Sequence, residues 1–187
     1  GAGPACAVGG DSLRKQRLTP AMIALLAALI GLTAVFTLAI RVPTPARGYA
    51  NLSDVAIVFA GLAFGPWVAA IAGGIGTAIA DLIGYPVYAP VSLVVHGLQG
   101  LLIGLIGYRQ TSMVRLVLAW LAGAIAMVGG YLAGGALIVG LPTSAADIPL
   151  NSFQALLGAV AGIPLVLAVR KAYPAIDRLG QRPKWTE

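Results

Sequence analysis

The run TPAMIALLAALIGLTAVFTLAI, residues Thr19–Ile40, decides the fold of this chain, because it is uncharged throughout. A helix needs about 20 apolar residues to cross the hydrocarbon core of a bilayer, and this run is that long. Further apolar stretches follow it, and the charged residues stand almost entirely between them. Only 10% of the chain is charged, 59% is hydrophobic, and the mean hydropathy is +0.91. The sequence therefore predicts an all-α integral membrane protein.

Six apolar stretches predict a six-transmembrane-helix bundle. The second is short and ends at Gly65-Pro66, where proline favours the start of a new helix. The predicted spans are Thr19–Ile40, Leu52–Phe64, Trp67–Ile83, Pro90–Tyr108, Val114–Val139 and Asn151–Val169.

Lysine and arginine set the expected orientation, because they are enriched in cytoplasmic loops. With the N-terminus inside, only Arg41 and Arg47 fall outside, and the other ten of the 12 basic residues fall on the inner side. Both termini are therefore predicted to be cytoplasmic. We expect an N-terminal tail over residues 1–18, a membrane domain over 19–171 and a cytoplasmic tail over 172–187.

Several function classes are excluded by what the sequence lacks. No G-x-x-x-x-G-K-[ST] motif is present to hold ATP phosphates, and no H-E-x-x-H motif is present to hold zinc. The single cysteine, Cys6, lies in the expected tail, which leaves neither a disulfide nor a cysteine metal site. A chain this small and apolar has no room for an aqueous catalytic domain. We therefore expect no enzyme activity and no cofactor.

The polar residues of the spans collect in the outer halves, and the inner halves offer almost nothing comparable. A polar cluster that is open at one side and backed by apolar helices is typical of a small-molecule pocket. A channel would need polar lining along its full length. The candidate binding residues are Asn51, Asp54, Asp81, Tyr85, Tyr88, His96, Gln99, Tyr131, Asn151 and Gln154.

Each candidate also has a purely structural interpretation. Asp54 could cap a helix or complement its dipole, and Asp81 could lie at the membrane interface. His96 could be a core residue bonded to a helix carbonyl, although a histidine inside a span favours a functional role. The tyrosines could belong to an interfacial aromatic belt. The glycine stripes, such as the one on the fourth span, are most simply helix-packing surfaces.

Five segments in order carry a resemblance to a known family. They are GYANLSD at 48–54, AFGP at 63–66, GGIGTAIADL at 73–82, GYPVYAP at 84–90 and HGLQG at 96–100. This series resembles the S components of energy-coupling factor (ECF) vitamin transporters. The match is strong from about Ala21 to Tyr108, and the last two spans match mainly by hydropathy and length.

The resemblance implies a subunit that captures a vitamin or precursor from outside with high affinity. Its implied partners are a transmembrane coupling (T) component and two ATPase subunits, which energise release into the cell. In the family, small residues on the first helix meet the coupling protein, which implies Ala24 and Ala28 here. The implied pocket-closing loops are Arg41–Ala50, Gly84–Ala89 and Gly140–Leu150.

The substrate does not transfer with the fold, because S components share little sequence across vitamins. We expect the third loop to bring no charge to the pocket, and few cations to stand near it. This favours a small neutral or weakly basic heterocycle, such as a thiamine-precursor pyrimidine or a form of vitamin B6; riboflavin and folate remain open. The alternatives are a self-sufficient secondary transporter and a non-transporting membrane scaffold.

Overall fold

The structure, a computed structural model, describes residues 19–179. The predicted N-terminal tail, with Cys6, and the last eight residues of the predicted C-terminal tail lie outside the described residues. The helices are α1 (Pro20–Ala39), α2 (Ser53–Phe64), α3 (Pro66–Gly84), α4 (Ala89–Gly107), α5 (Met113–Val139), α6 (Leu141–Ala145), α7 (Ile148–Ala172) and α8 (Ile176–Leu179). Two short strands, β1 (Val42–Pro43) and β2 (Tyr49–Ala50), and a 3₁₀ turn over Pro86–Tyr88 complete the described elements.

Five of the predicted spans are helices long and apolar enough to cross a membrane: α1, α3, α4, α5 and α7. The surface they present is apolar to match, with Leu137 91% exposed and Trp67 70% exposed. Large apolar side chains at such exposure are stable in lipid and unfavourable in water. The chain is therefore an all-α, multi-pass membrane protein.

The predicted second span differs from the others, because α2 has only 12 residues. At 1.5 Å per residue it is roughly 18 Å long, whereas the hydrocarbon core is about 30 Å thick. Every residue of α2 except Phe59 is buried, and α1, α3, α4 and α7 surround it. Helix α2 thus lies inside the protein and has little contact with the exterior, unlike the five helices of spanning length.

Both ends of α2 are held by hydrogen bonds from other elements. At its start, Leu52 N donates to Phe36 O over 3.3 Å. At its end, Leu62 O accepts from Arg170 Nη2 at 2.8 Å, and Arg170 Nη1 donates to Gln110 O at 2.9 Å. Helix α2 therefore connects the two ends of the bundle, with the β-hairpin at one end and Arg170 at the other.

The break after α2 follows the sequence prediction. Gly65 has φ of 96°, in the region that favours glycine, and Pro66 takes the first turn of α3. The hairpin between α1 and α2 was not predicted; in it Val42 pairs with Ala50 and Pro43 with Tyr49. Helix α6 and the 3₁₀ turn also form where the sequence analysis expected only loops.

Glycines bring the helices into close contact, which confirms the packing interpretation of the stripe on α4. A Cβ at Gly100 would lie 2.5 Å from Ala69 O, and one at Gly104 would lie 2.4 Å from the Pro66 backbone. Such distances leave no room for a side chain. Helix association in lipid depends on this approach, because no hydrophobic effect drives it there.

Gly104→Ala is expected to lower the thermal unfolding temperature of the detergent-solubilised protein by several degrees. The added methyl group forces α4 away from α3, and overpacking of this kind costs about 1–3 kcal/mol. Gly129→Ala is the matched control, because nothing lies within 4 Å of a Cβ at this exposed helix position. Equal shifts in the two variants would contradict the packing role of Gly104.

Candidate functional site

A polar cavity lies at the hairpin end of the bundle, above the start of α2. It contains about 520 Å³ between its lining atoms, open mouth included, and about 30 Å³ of it is open to the centre of a water-sized atom. Its lining comes from α1, the hairpin, α3, the 3₁₀ turn, α5, α6 and α7. A site built from so many elements is a property of the whole fold.

Seven of the ten predicted binding residues line this cavity. They are Asn51, Asp81, Tyr85, Tyr88, Tyr131, Asn151 and Gln154. The other three, Asp54, His96 and Gln99, are buried at 1%, 1% and 0% exposure and do not line the cavity. Seven of the predicted residues therefore surround one cavity, and the other three lie behind its wall.

Asp81 forms one wall of the cavity, with both carboxylate oxygens bonded. Tyr49 Oη donates to Oδ1, and Ser92 Oγ donates to Oδ2. Ser92 Oγ also shares a hydrogen bond with Tyr131 Oη. Burial, with the neighbouring Asp81 carboxylate, raises the pKa of Tyr49, so that its hydroxyl stays protonated and donates. Each carboxylate oxygen keeps a further lone pair for a ligand donor.

Asp147, which also lines the cavity, connects the start of α7 to the hairpin. Its Oδ2 accepts from Thr44 Oγ1 at 2.6 Å, and its Oδ1 accepts from Ala46 N at 2.9 Å. Tyr88 Oη donates to Ala46 O at 2.6 Å. Thr44 and Ala46 are buried by these contacts, so the hairpin tip is held over the cavity.

The expectation of an uncharged third loop was wrong, because Asp147 stands in it and lines the cavity. Its position directly before Ile148-Pro149, at the start of a helix, is the signal that could have identified it. Tyr49 and Thr44 are further lining residues that the sequence analysis did not select. Both stand in the implied pocket-closing loop Arg41–Ala50, and Tyr49 also stands in the segment GYANLSD, which is the signal that could have identified them.

Asp54 is the centre of a buried network beneath the cavity. Gln99 Nε2 donates to its Oδ2 at 2.7 Å, and Gln154 Nε2 donates to its Oδ1 at 2.8 Å. Gln99 Oε1 lies 2.7 Å from His96 Nδ1, and Gln154 Oε1 accepts from Asn51 N at 2.7 Å. The network joins α2, α4 and α7 at the depth where α2 begins.

The cavity carries an excess of negative charge. Two carboxylates, Asp81 and Asp147, line it, and no lysine or arginine is among the described residues that do. The Arg41 guanidinium lies 4.9 Å from the centre of the Tyr49 ring, outside the lining, and Arg47 is exposed at the hairpin. Within residues 19–179, no cluster of three His, Cys, Asp or Glu side chains could hold a metal ion. The arrangement suits a neutral or cationic ring with hydrogen-bond donors.

The two residues expected to contact a partner lie on α1, away from the cavity. Ala24 and Ala28 are exposed, one helical turn apart on one face, and nothing lies within 4 Å of a Cβ at Gly31 further along the same helix. Of the 20 residues of α1, only Leu29, Thr33 and Thr37 are buried. This helix therefore presents a surface of small side chains to its surroundings.

Comparison with known proteins identifies the family. A family model described as ECF-type riboflavin transporter, S component, matches residues 17–171. The thiamine precursor transporter HmpT of Lactococcus lactis subsp. cremoris (strain MG1363) is 35% identical over 140 residues, which are 74% of this chain and 76% of that protein. An uncharacterized protein in a gap 3′ region of Pyrococcus woesei is 36% identical over 138 residues, 73% of this chain and 93% of that protein.

The resemblance inferred from the sequence is thereby confirmed, and the coarse function with it. This is a membrane transport protein for a vitamin or a vitamin precursor, and its family is one of transporter subunits and not of enzymes. Because the family model covers most of the sequence, the chain belongs to the S components of the ECF-type riboflavin transporter family.

Proposed function

We propose that this chain is the substrate-capture subunit of an ECF-type importer, and that its substrate is an uncharged aminopyrimidine precursor of thiamine. The observation that carries the proposal is the cavity lining, where the described residues offer two carboxylates and several tyrosines but no cation. A form of vitamin B6 without phosphate has similar chemistry and is the second choice.

The lining favours a ring that donates hydrogen bonds. Asp81 and Asp147 can each accept a further N–H or O–H bond, which an amino group or a hydroxymethyl group supplies. Tyr85 and Tyr131 offer faces for stacking, and Asn151 offers an amide for the ring nitrogens. An anionic ligand would be repelled by both carboxylates, which disfavours folate and phosphorylated vitamins.

The size of the cavity also favours a small ring. Inside it, about 30 Å³ is open to the centre of a water-sized atom, so a ring substrate requires the lining to move. A single pyrimidine ring requires a smaller movement of the lining residues than the three fused rings of riboflavin. The thiamine-precursor activity of the Lactococcus lactis relative agrees with this choice.

The hairpin is the element best suited to open. It contributes Thr44, Ala46, Gly48 and Tyr49 to the lining, and side-chain bonds from Asp147 and Tyr88 hold its tip. Breaking these contacts would expose the cavity without disturbing the glycine-packed helices. We therefore assign substrate entry and exit to the movement of the hairpin away from Asp147.

The proposed topology has six segments and both termini in the cytoplasm of a prokaryotic cell. Helix α2 runs from the hairpin end to the Arg170 end, so it reverses the chain even though it is short. Among the described residues, Arg109, Arg115, Arg170 and Lys171 cluster by sequence at the end opposite the cavity. The positive-inside rule then puts the cavity outside.

The proposed partners are a T component and two ATPase subunits, which this chain needs because it has no nucleotide-binding motif. The surface proposed to meet the T component is the exposed small-residue face of α1, with Ala24 and Ala28. Small side chains allow another helix to approach closely in lipid.

Purified protein is expected to bind 4-amino-5-hydroxymethyl-2-methylpyrimidine at least about a hundredfold more tightly than its phosphate ester, because like charges brought together cost several kcal/mol. Isothermal titration in detergent measures both affinities, and mass spectrometry of molecules released from the purified protein checks for a carried substrate. Riboflavin and pyridoxine serve as comparison ligands. Equal affinity for the ester, or preference for riboflavin, would refute the proposed substrate.

Asp147→Ala is expected to speed dissociation of the bound pyrimidine about tenfold, because it removes the two bonds that Asp147 makes to the hairpin tip and leaves only the one from Tyr88 there. Thr44→Val removes one of the two and serves as the graded control, with a smaller increase. Stopped-flow displacement measures the rates. Unchanged dissociation in Asp147→Ala would show that the hairpin does not control exit.

The double variant Ala24→Leu/Ala28→Leu is expected to abolish uptake in vesicles that also contain the T component and the ATPases, while ligand affinity stays within about twofold. The bulky side chains would block helix approach at the partner surface. Ala133→Leu, at an exposed position on α5, is the matched control and keeps uptake. Loss of affinity in the double variant would place α1 in the pocket and refute the assigned interface.

A further inference from the structure

Asp54 is a carboxylate that the proposed binding site does not touch. It is 1% exposed, lies in the first turn of α2, and is absent from the cavity lining. Burying a charge costs free energy unless it is hydrogen-bonded. Both oxygens of Asp54 accept from amide groups on other helices. One of these amides belongs to Gln154, which does line the cavity.

The orientation of Gln154 is fixed by a backbone group. Asn51 N is a donor and cannot accept, so the Gln154 atom 2.7 Å from it must be the amide oxygen. The amide nitrogen of Gln154 must then face Asp54 Oδ1, which accepts its proton at 2.8 Å. This assignment needs no assumption about the charge of Asp54.

The charge on the second oxygen of Asp54 determines which atom donates and which accepts in the contacts of Gln99 and His96. The first turn of a helix favours a negative charge, because backbone N–H groups point toward it. An ionised Oδ2 accepts only, so Gln99 must present its amide nitrogen to Asp54 and its oxygen to His96. His96 Nδ1 must then carry a proton. A protonated Asp54 could instead donate to the Gln99 oxygen, and Gln99 would then donate its nitrogen to His96 Nδ1.

We propose that Asp54 is a positioning residue: its ionised carboxylate, through Gln99, fixes the proton of His96 on Nδ1, while its other oxygen accepts from Gln154 at the cavity floor. His96 in turn packs edge-on against Tyr131, with ring centres 5.4 Å apart, and Tyr131 lines the cavity. Asp54 thus contacts Gln154 directly and acts on Tyr131 through Gln99 and His96, from behind the wall. The effect on substrate affinity rests on the proposed function, whereas the position of the proton does not.

The proton on His96 can be observed directly, because the chain has one histidine. Nitrogen-15 NMR of the full chain, labelled at histidine and held in detergent without ligand, distinguishes a protonated from an unprotonated ring nitrogen. We expect a proton on Nδ1, whether or not Nε2 also carries one. A neutral ring with its proton on Nε2 alone would overturn the proposal, and this measurement needs no variant to fold.

Asp54→Asn tests the cause while keeping the shape of the side chain. The new amide can accept from Gln154 through its oxygen but presents its NH₂ group to Gln99, which must turn and offer its nitrogen to His96. We expect the proton of His96 to move to Nε2. Asp147→Asn loses the same charge at a different part of the site and is expected to leave the His96 spectrum unchanged. An unaltered spectrum in Asp54→Asn, or an equal change in both variants, would overturn the proposal.

The consequence for binding is measured separately. In folded Asp54→Asn protein, affinity for 4-amino-5-hydroxymethyl-2-methylpyrimidine is expected to fall at least about tenfold, the effect of one misdirected hydrogen bond. A moved proton with unchanged affinity would refute the role of Asp54 in binding. Absence of binding by the unaltered protein would refute the proposed substrate, and the NMR result alone would then decide whether Asp54 positions His96.

Discussion

The burial of a short apolar helix at the centre of the bundle is the constraint on which the rest of the structure depends. Helix α2 is 12 residues long, about 12 Å less than the hydrocarbon thickness, so it cannot stand in lipid as a complete span. Its free N–H and C=O groups must be satisfied inside the protein. The Asn51 side chain accepts from Ser53 N at the start, and Arg170 donates to Leu62 O at the end.

The missing length of α2 is also the origin of the cavity. The surrounding helices continue past the start of α2, and the space above it is lined by their ends and covered by the hairpin. Polar residues collect there for a physical reason, since the lining comes from the hairpin, from the later turns of α1, α3 and α5 and from the first turns of α7, where the chain leaves the apolar bundle. Asp54, at the start of α2, then lies at the boundary between the packed bundle and the cavity.

Much of the fold could be predicted from hydropathy alone, and the limits were those of a single sequence. Five long apolar runs became the five long helices, and Gly65-Pro66 marked a real break. The hairpin could not be predicted, because strands of two residues carry no alternating pattern of apolar and polar residues.

The depth of the polar residues was predictable, but the side of the helix on which each one lies was not. Whether His96 lines the cavity or lies behind it depends on the rotation and packing of α4, which no local pattern records. The bond from Thr44 to Asp147 joins residues 103 positions apart, and only the assembled fold brings them together.

Arg170 has two roles, and they depend on different properties of its side chain. In the proposed topology its positive charge near the end of α7 favours the cytoplasmic side of the membrane, and lysine would serve equally well. As the donor to two carbonyl oxygens, Leu62 O and Gln110 O, it depends on the flat, forked geometry of guanidinium, which lysine lacks. An exchange of arginine for lysine would therefore preserve the insertion of the protein and loosen its assembly, separating two stages of biogenesis that other substitutions would disturb together.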